Sequence, residues 1–400
     1  MRNFFKDFKE RLIEGTLLLS STVTTITVLL IIFYLFKEGS GIFSRSSIES
    51  GNQLLLNPEN PVNNLTDKEI KYIYDGDISN WKQVGGKDED IMIFRLDDIG
   101  NFYTDEQLGE NFENMPMYVD TLVMQNKNII AFISDKYVLS KTKAKRLEVN
   151  KITLSEVLKG KEWIPTAHPS AQLGVLPLIM GTIWVSFGAI LLALPFGLAA
   201  AIYMAEIADY RVRNILKPLI ELLAGIPSVV YGFFGLVVMV PAIQKLFNLA
   251  VGQSALAGSI ILGIMALPTI ITISEDAIRN TPRAMREASL ALGANKWQTI
   301  VRVIIPFSIS GITAAVILGI GRAIGETMAV LMVTGNSAVM PTSLLQPVRT
   351  IPATIAAELG EAPFGGLHFQ ALFFLGCILF LMTLVINFTV ELVAPRRLKR

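Results

Sequence analysis

Six long apolar runs separated by charged connections leave this chain very few folds. Residues 15–36, 174–205, 216–240, 254–274, 307–334 and 368–394 each suit a bilayer-crossing helix, which needs about 20 predominantly apolar residues. A soluble core does not need so much apolar side chain: 52% of the 400 residues are hydrophobic and only 17% are charged. The expected class is an all-α membrane protein with six transmembrane helices. Pro195 and Gly197 fall inside the second run, which reads as longer than one straight crossing. Gly225, Pro227 and Gly232 predict a kink or break in the third.

Lysine and arginine next to short spans are retained on the cytoplasmic side. Arg2, Lys6, Lys9 and Arg11 precede the first run, and Arg211, Arg213 and Lys217 lie between the second and third. Arg396, Arg397, Lys399 and Arg400 follow the last, so residues 396–400 read as a basic cytoplasmic tail. All fall on one side if the spans alternate, which places both termini inside. The connection between the fourth and fifth runs is then also inside, in agreement with its Arg279, Arg283, Arg286, Lys296 and Arg302. Residues 37–172 are expected outside, with 21 acidic against 16 basic residues, a net −5 that the +1 of the whole chain hides. The first run resembles a secretory signal in its basic flank. It is too long and lacks a small-x-small cleavage pattern, so residues 1–36 read as an uncleaved anchor. The one cysteine, Cys377, lies in the last run, so the external segment has no disulfide.

That external segment, about 135 residues, is large enough to be a domain. Strand-like runs at 91–94 and 129–133, with amphipathic patterns at 65–74 and 153–159, predict a small α/β insert. Trp163 and Pro165 read as an interfacial anchor and a turn into the second span.

Residues 287–306, EASLALGANKWQTIVRVIIP, place Glu287 and Ala288 ahead of Gly293, six residues after the glutamate, and Pro306 thirteen residues further on. Thr281 reads as a hydroxyl N-cap and Pro282 as the first helical position. Gly293 ends that helix, and a second one from Trp297 packs Ile300, Val301 and Ile304 before Pro306. The same pattern serves an ordinary αα-hairpin. Here it lies between two membrane spans, where a structured, charged loop must meet something in the cytoplasm. Glu287, Ala288, Gly293 with the adjoining Ala294, and Pro306 resemble the EAA loop of ABC importer permeases, the element that seats in a groove of the ATP-hydrolysing subunit. The resemblance implies a type I (MetI-like) permease core over 173–395 with a coupling loop at 281–306.

No G-x-x-x-x-G-K-[ST] occurs, so ATP hydrolysis must come from a separate chain. Gly319, Gly321 and Gly325 do not have dinucleotide-binding spacing and lie inside an apolar run. His168 and His368 have no partners at metal-ligand spacing, and no nucleophile, base and orienter can be assembled. No enzyme, cofactor or metal site is expected. Nucleic-acid binding is not expected either, because topology accounts for the basic residues.

In the fifth run, GRAIGETMAV places Arg322 and Glu326 four residues apart, on one face of a continuous helix. Charged side chains in mid-membrane cost about 2.5–3.5 kcal/mol each on insertion scales, so such a pair faces the bundle interior or a wet cavity. Gly311, Ala315 and Gly319 continue that face, and Gly321 and Gly325 form a G-x-x-x-G pair that permits close helix approach. Two uses stay open: an ion pair that fixes helix register, or a translocation-path pair in which Arg322 attracts an anion. GRAIGETMAV followed by VTGN, with SLLQPVRTIPATIAAELGEA at 343–362, resembles the PstC-type permease of the phosphate-specific ABC importer. The resemblance covers roughly 173–395. It implies that Glu287 and Gly293 belong to the coupling loop, that Arg322 and Glu326 belong to the transport path, and that the cargo is phosphate. Arg349 reads first as a solvated or headgroup arginine and second as another anion contact.

The segment LTDKEIKYIYDGDISNWKQVGG, residues 65–86, is similar to a stretch of phosphate-binding proteins. Where those present serine, glycine and threonine to phosphate, this chain reads RLDDIGNFYT at 95–104. Losing hydroxyl donors and gaining Asp97 and Asp98 favours a lobe used for docking or gating over a working phosphate site.

The resemblance implies a permease subunit in the inner membrane of a bacterium, working by alternating access with two copies of an ATPase, a second homologous permease, an external phosphate-binding protein and the surrounding lipid. Import of molybdate or sulfate is an alternative. So is a membrane sensor using the insert, although the chain has no kinase, phosphatase or long signalling helix.

Overall fold

The computed structural model describes residues 2–48 and 51–393; the basic tail expected at 396–400 lies outside the described residues. Two compact units are present. One comprises residues 1–152, 168–171 and 363–377, and the other residues 153–167, 172–362 and 378–400.

In the first unit, α1 (Arg2–Ser40) is a single long helix. It meets the start of α16 (Leu367–Val393) through an edge-on Tyr34–Phe373 pair, centroids 5.6 Å apart, and through Gly39, which backs onto Phe374 and Cys377. Between them lies the α/β insert: β1 (Asn52–Leu56), β2 (Asn64–Leu65), α2 (Asp67–Asp75), β3 (Met92–Arg95), α3 (Asp105–Leu108), α4 (Met115–Gln125), β4 (Ile129–Ser134), β5 (Lys145–Arg146) and β6 (Glu148–Val149). The main sheet has order β3-β4-β1-β5, with β1 antiparallel to β4 and β5 and β3 parallel to β4.

Both faces of that sheet are buried, and the two-residue side-chain period sorts them. Leu55, Ile129, Ala131 and Ile133 pack with Val119, Leu122 and Val123 of α4. Leu54, Leu56 and Ile130 pack on the opposite side with Ile70 and Ile73 of α2 and with Trp81. Helix α2 starts where the sequence places it because Thr66 and Glu69 form a reciprocal capping box, an arrangement whose removal costs about 1 kcal/mol.

The second unit opens with α5 (Leu154–Lys159), capped by Thr153 and Glu156, and a ribbon of β7 (Trp163–Ile164) and β8 (Gln172–Leu173). Gly160 and Gly174 touch at the root of this ribbon: a Cβ on Gly160 would lie 2.5 Å from the Gly174 Cα, so a side chain is excluded. The helices that follow are α6 (Leu176–Ile202), α7 (Tyr210–Gly225), α8 (Ser228–Phe234), α9 (Val240–Phe247), α10 (Ala255–Arg279), α11 (Arg283–Ala291), α12 (Lys296–Thr299), α13 (Ile305–Gly325), α14 (Met328–Val333) and α15 (Ile351–Glu358), before α16. Helix α10 is the central element, packed against α6 and α13. Its buried residues run almost around its circumference, as expected of a helix surrounded by others.

Among the described residues, six helical stretches are long and apolar enough to cross a membrane: Ile13–Ser44, Leu176–Ile207, Ser228–Phe247, Ala255–Arg279, Lys296–Gly325 and Leu367–Leu392. The first and fourth stretches run on to Ser44 and Arg279, and two runs break inside the bounds read from the sequence. The third breaks at Ile226–Pro227, where the residue before proline is extended, so α7 is a separate helix and the apolar stretch starts at Ser228. The fifth ends at Gly325 and not at 334, since Glu326 takes an extended conformation (φ −71°, ψ 133°) before α14 begins.

Candidate functional site

The loop between the fourth and fifth spans folds as helix, glycine corner, helix, with two corrections at its edges. Thr281 does not cap. It is buried, its hydroxyl 3.0 Å from that of Ser308, and α11 begins one residue later than expected, after Pro282. Gly293 closes α11 at φ +86°, where the amides of Gly293 and Ala294 bond back to the carbonyls of Leu290 and Ser289. A capping box between Asn295 and Gln298 starts α12. The second helix does not stop at Pro306: it stays helical to Gly325, because a π-helical turn at Ile300–Ile304 widens it just ahead of the proline. Gly293→Val forces a β-branched residue into the left-handed region at about 1–2 kcal/mol. The expected result is roughly 5- to 30-fold faster hydrogen exchange at the amides of 293 and 294, with the rest of the chain unchanged.

Helix α11 has no buried residue, and only Arg286 and Ser289 on it are not fully exposed. Three residues apart, they form its inner face, and both make polar contacts. The Ser289 hydroxyl meets that of Thr299 at 2.9 Å. Arg286 Nη2 lies 2.9 Å from Glu206 Oε1 and donates to the carbonyl of Ile278 at 3.0 Å. Arg286 therefore joins three elements: α11, the last turn of α10, and the π-helical turn Tyr203–Ile207 that ends the second span. The outer face carries Glu287, exposed, and a surface groove of about 430 Å³ lined in part by Met285, Ala288, Leu292 and Ala294. Leu292 at the corner is 90% exposed and Trp297 62%, so this loop presents apolar side chains that the described residues leave uncovered.

Beside it, Glu275 of α10 is fully buried and held by Arg213 at 3.0 Å, Lys217 at 3.2 Å and Arg279 at 3.6 Å. Neither Glu206 nor Glu275 stands out in the sequence. The signal was there: each is a carboxylate at the end of an apolar run on the side rich in arginine and lysine.

In the fifth span Arg322 and Glu326 are not side by side. A helical i,i+4 pair needs four unbroken residues, and α13 ends at Gly325, so Glu326 leaves the helix. Both side chains are half-buried. Arg322 Nη1 instead donates to Thr269 Oγ1 of α10 at 3.3 Å, a neutral hydroxyl and its sole polar partner among the described residues. Thr269, one residue beyond Pro268, was not singled out from sequence. The small face behaves as expected against α10: Gly311 backs onto Ala277 and Gly319 onto Ile270. A Cβ added at Gly321 or Gly325 would meet nothing within 4 Å among the described residues, so the G-x-x-x-G pair leaves room on that face and is not a close internal contact. Gly325 borders a groove of about 520 Å³ with Thr327, Pro352, Ile355 and Ala356.

Trp163 is not an interfacial anchor, since it is 3% exposed and its indole donates to Glu358 Oε2 at 3.0 Å. Arg349 is part-buried and pairs with Glu358 Oε1 at 2.5 Å.

Within the insert, RLDDIGNFYT forms a 3₁₀ turn at Leu96–Asn101. Asp98 accepts from the Arg95 amide at 3.0 Å, and the Arg95 guanidinium is committed to the carbonyl of Tyr74 at 2.8 Å and to the Tyr74 ring, 5.5 Å from its centroid. Burial pushes the Tyr74 phenol above its ordinary range. A carboxylate thus occupies the turn amide, and the nearest cation is already used.

Residues 193–399 match the family described as binding-protein-dependent transport system inner membrane component, and residues 52–182 match a PBP superfamily domain. The chain is 41% identical over 249 residues to the Bacillus subtilis protein named "Probable ABC transporter permease protein YqgH", covering 62% of this chain and 80% of that one. It is 37% identical over 248 residues to the phosphate transport system permease protein PstC of Mesorhizobium japonicum, covering 57% and 75%. A solved structure, an ABC-type phosphate transport receptor from Vibrio cholerae, matches at 26% identity and a TM-score of 0.20 over 28% of this chain and 52% of its own. The family match over residues 193–399 and the two permease relatives, together with the six apolar helices among the described residues and the charged loop between the fourth and fifth of them, show that the chain belongs to the binding-protein-dependent transport system inner membrane components, as a PstC-type, multi-pass permease subunit of an ABC importer.

Proposed function

We propose that this permease carries inorganic phosphate across the cytoplasmic membrane by ATP-driven alternating access. The observation that carries the reading is Arg322: a guanidinium in a membrane span whose partner is the neutral hydroxyl of Thr269, so its charge is not already cancelled. A planar, permanently charged fork suits a tetrahedral oxyanion. Glu326, released from the helix at the break, shapes the field along the same path.

The loop 281–306 is the cytoplasmic coupling element, with Glu287, Ala288, Gly293 and Ala294 at the surface that receives the ATPase. Two ATPase copies serve this chain and a second, homologous permease, which seats against the open face at Gly321 and Gly325. Both termini are cytoplasmic, residues 1–36 are the anchor, 37–172 the external insert and 173–395 the permease domain. An external phosphate-binding protein delivers the substrate. Closure of the ATPases moves the loop, and the bundle exchanges an inward for an outward opening.

Labelled phosphate uptake in a strain deleted for the permease tests this. Restored uptake that excess sulfate and molybdate leave unchanged is expected; uptake competed equally by either would assign another oxyanion. The insert is a docking or gating lobe with no phosphate site. Calorimetric titration of the full chain bearing both Arg322→Gln and Arg349→Gln with phosphate should give no heat of micromolar binding, and such heat would restore a ligand site to the insert.

A further inference from the structure

Arg349, Glu358 and Trp163 of the permease core form one chain of polar contacts apart from Arg322 and the coupling loop. Arg349 is the only lysine or arginine between residues 334 and 366. Its Nη1 lies 2.5 Å from Glu358 Oε1, and its Nε donates to the carbonyl of Asn336 at 3.2 Å. The other carboxylate oxygen, Glu358 Oε2, accepts from Trp163 Nε1 at 3.0 Å. One carboxylate is therefore held from two directions, by the sole cation of the connection between the fifth and sixth spans and by an indole on the β7–β8 ribbon.

The ribbon is tied to the same connection a second time, through a bridge between Glu162 and Val339. Its root is the close Gly160–Gly174 contact, which leaves no slack. It is also the stretch of chain that leads from the α/β insert into α6. Asn336, which gives Arg349 its second acceptor, sits at φ +50° with its buried Oδ1 lacking a partner.

A guanidinium has five N–H donors, and the two named bonds leave a planar edge of the kind that binds an oxyanion. While Glu358 holds it, the charge is neutralised. We propose that Arg349 is a second oxyanion contact, kept in reserve by Glu358, and that Trp163 is the positioning residue that keeps Glu358 in place. This rests on the transport reading above. Displacing the β7–β8 ribbon withdraws the indole, loosens the carboxylate and exposes Arg349 to phosphate at the mouth of the path. The insert thereby gains a gating role that needs no ligand site of its own.

The test uses the full complex in proteoliposomes, with inorganic phosphate uptake measured with and without the binding protein. Trp163→Phe keeps the ring and removes the donor, and Glu358→Gln keeps the shape and removes the charge. Each should raise binding-protein-independent uptake about tenfold, the factor that goes with losing one charge-assisted hydrogen bond. Adding Arg349→Gln to either should abolish the gain. A packing defect that merely loosened the gate would raise uptake whether or not Arg349 is present. No gain in either variant, at wild-type amounts of permease in the membrane, overturns the proposal, and so does a gain that survives Arg349→Gln. If the wild-type complex with its binding protein takes up no phosphate, the transport reading fails and this one with it.

Discussion

Arg322→Gln should reduce phosphate uptake at least tenfold while leaving the amount of permease in the membrane and its association with the ATPase unchanged. Glutamine retains most of the side-chain volume and a donor for Thr269, so the contact between α13 and α10 has a substitute. What is lost is the charge and the fork. A hydrogen bond to a charged group is worth about 1.5–3 kcal/mol, a factor of roughly 10 to 150 in the stability of a bound anion. Arg322→Lys should fall between, keeping the charge without the bidentate geometry. Uptake within twofold of wild type would remove Arg322 from the path. Disappearance of the assembled complex would return it to the role of a structural residue.

Arg286→Ala should separate ATP hydrolysis from transport. Helix α11 has no apolar anchor, so its inner face is joined to the spans by Arg286 and Ser289 alone, and Arg286 is the residue that reaches both α10 and the end of the second span. Removing it leaves the exposed docking surface around Ala288, Leu292 and Ala294 intact. The ATPase should still bind and turn over. Phosphate moved per ATP should fall about 5- to 150-fold, the span of a coupling energy of about 1–3 kcal/mol. Glu206→Gln should give a similar loss, and the double variant little more than either single one, because both remove one contact. Parallel loss of ATP hydrolysis and uptake would mean that Arg286 holds the loop together instead.

Elements set by local rules were legible in the sequence. Apolar run length marked the spans, the amphipathic patterns at 65–74 and 153–159 marked two helices that the structure starts at Asp67 and Leu154, and Gly293 announced the corner. Misreadings came where a local rule met a tertiary contact. Thr281 reads as a cap but is used against Ser308; Trp163 reads as a membrane anchor but donates to Glu358, 195 residues away. Arg322 and Glu326 read as a pair because their spacing is helical, and the helix ends between them. Nothing within GRAIGETMAV announces that break, and the partner Arg322 does find, Thr269, lies 53 residues away on another helix. Glu206 and Glu275 were passed over because each is a single acidic residue at the rim of an apolar run, and only folding shows which cations they face.

Whether this chain forms an ATP-driven path for phosphate is read from transport into sealed vesicles. Proteoliposomes carrying both permeases, the ATPase and the binding protein should accumulate labelled phosphate against its gradient only with ATP on the ATPase side, and excess sulfate should not slow them. Accumulation that needs no ATP, or that sulfate abolishes, would contradict the account.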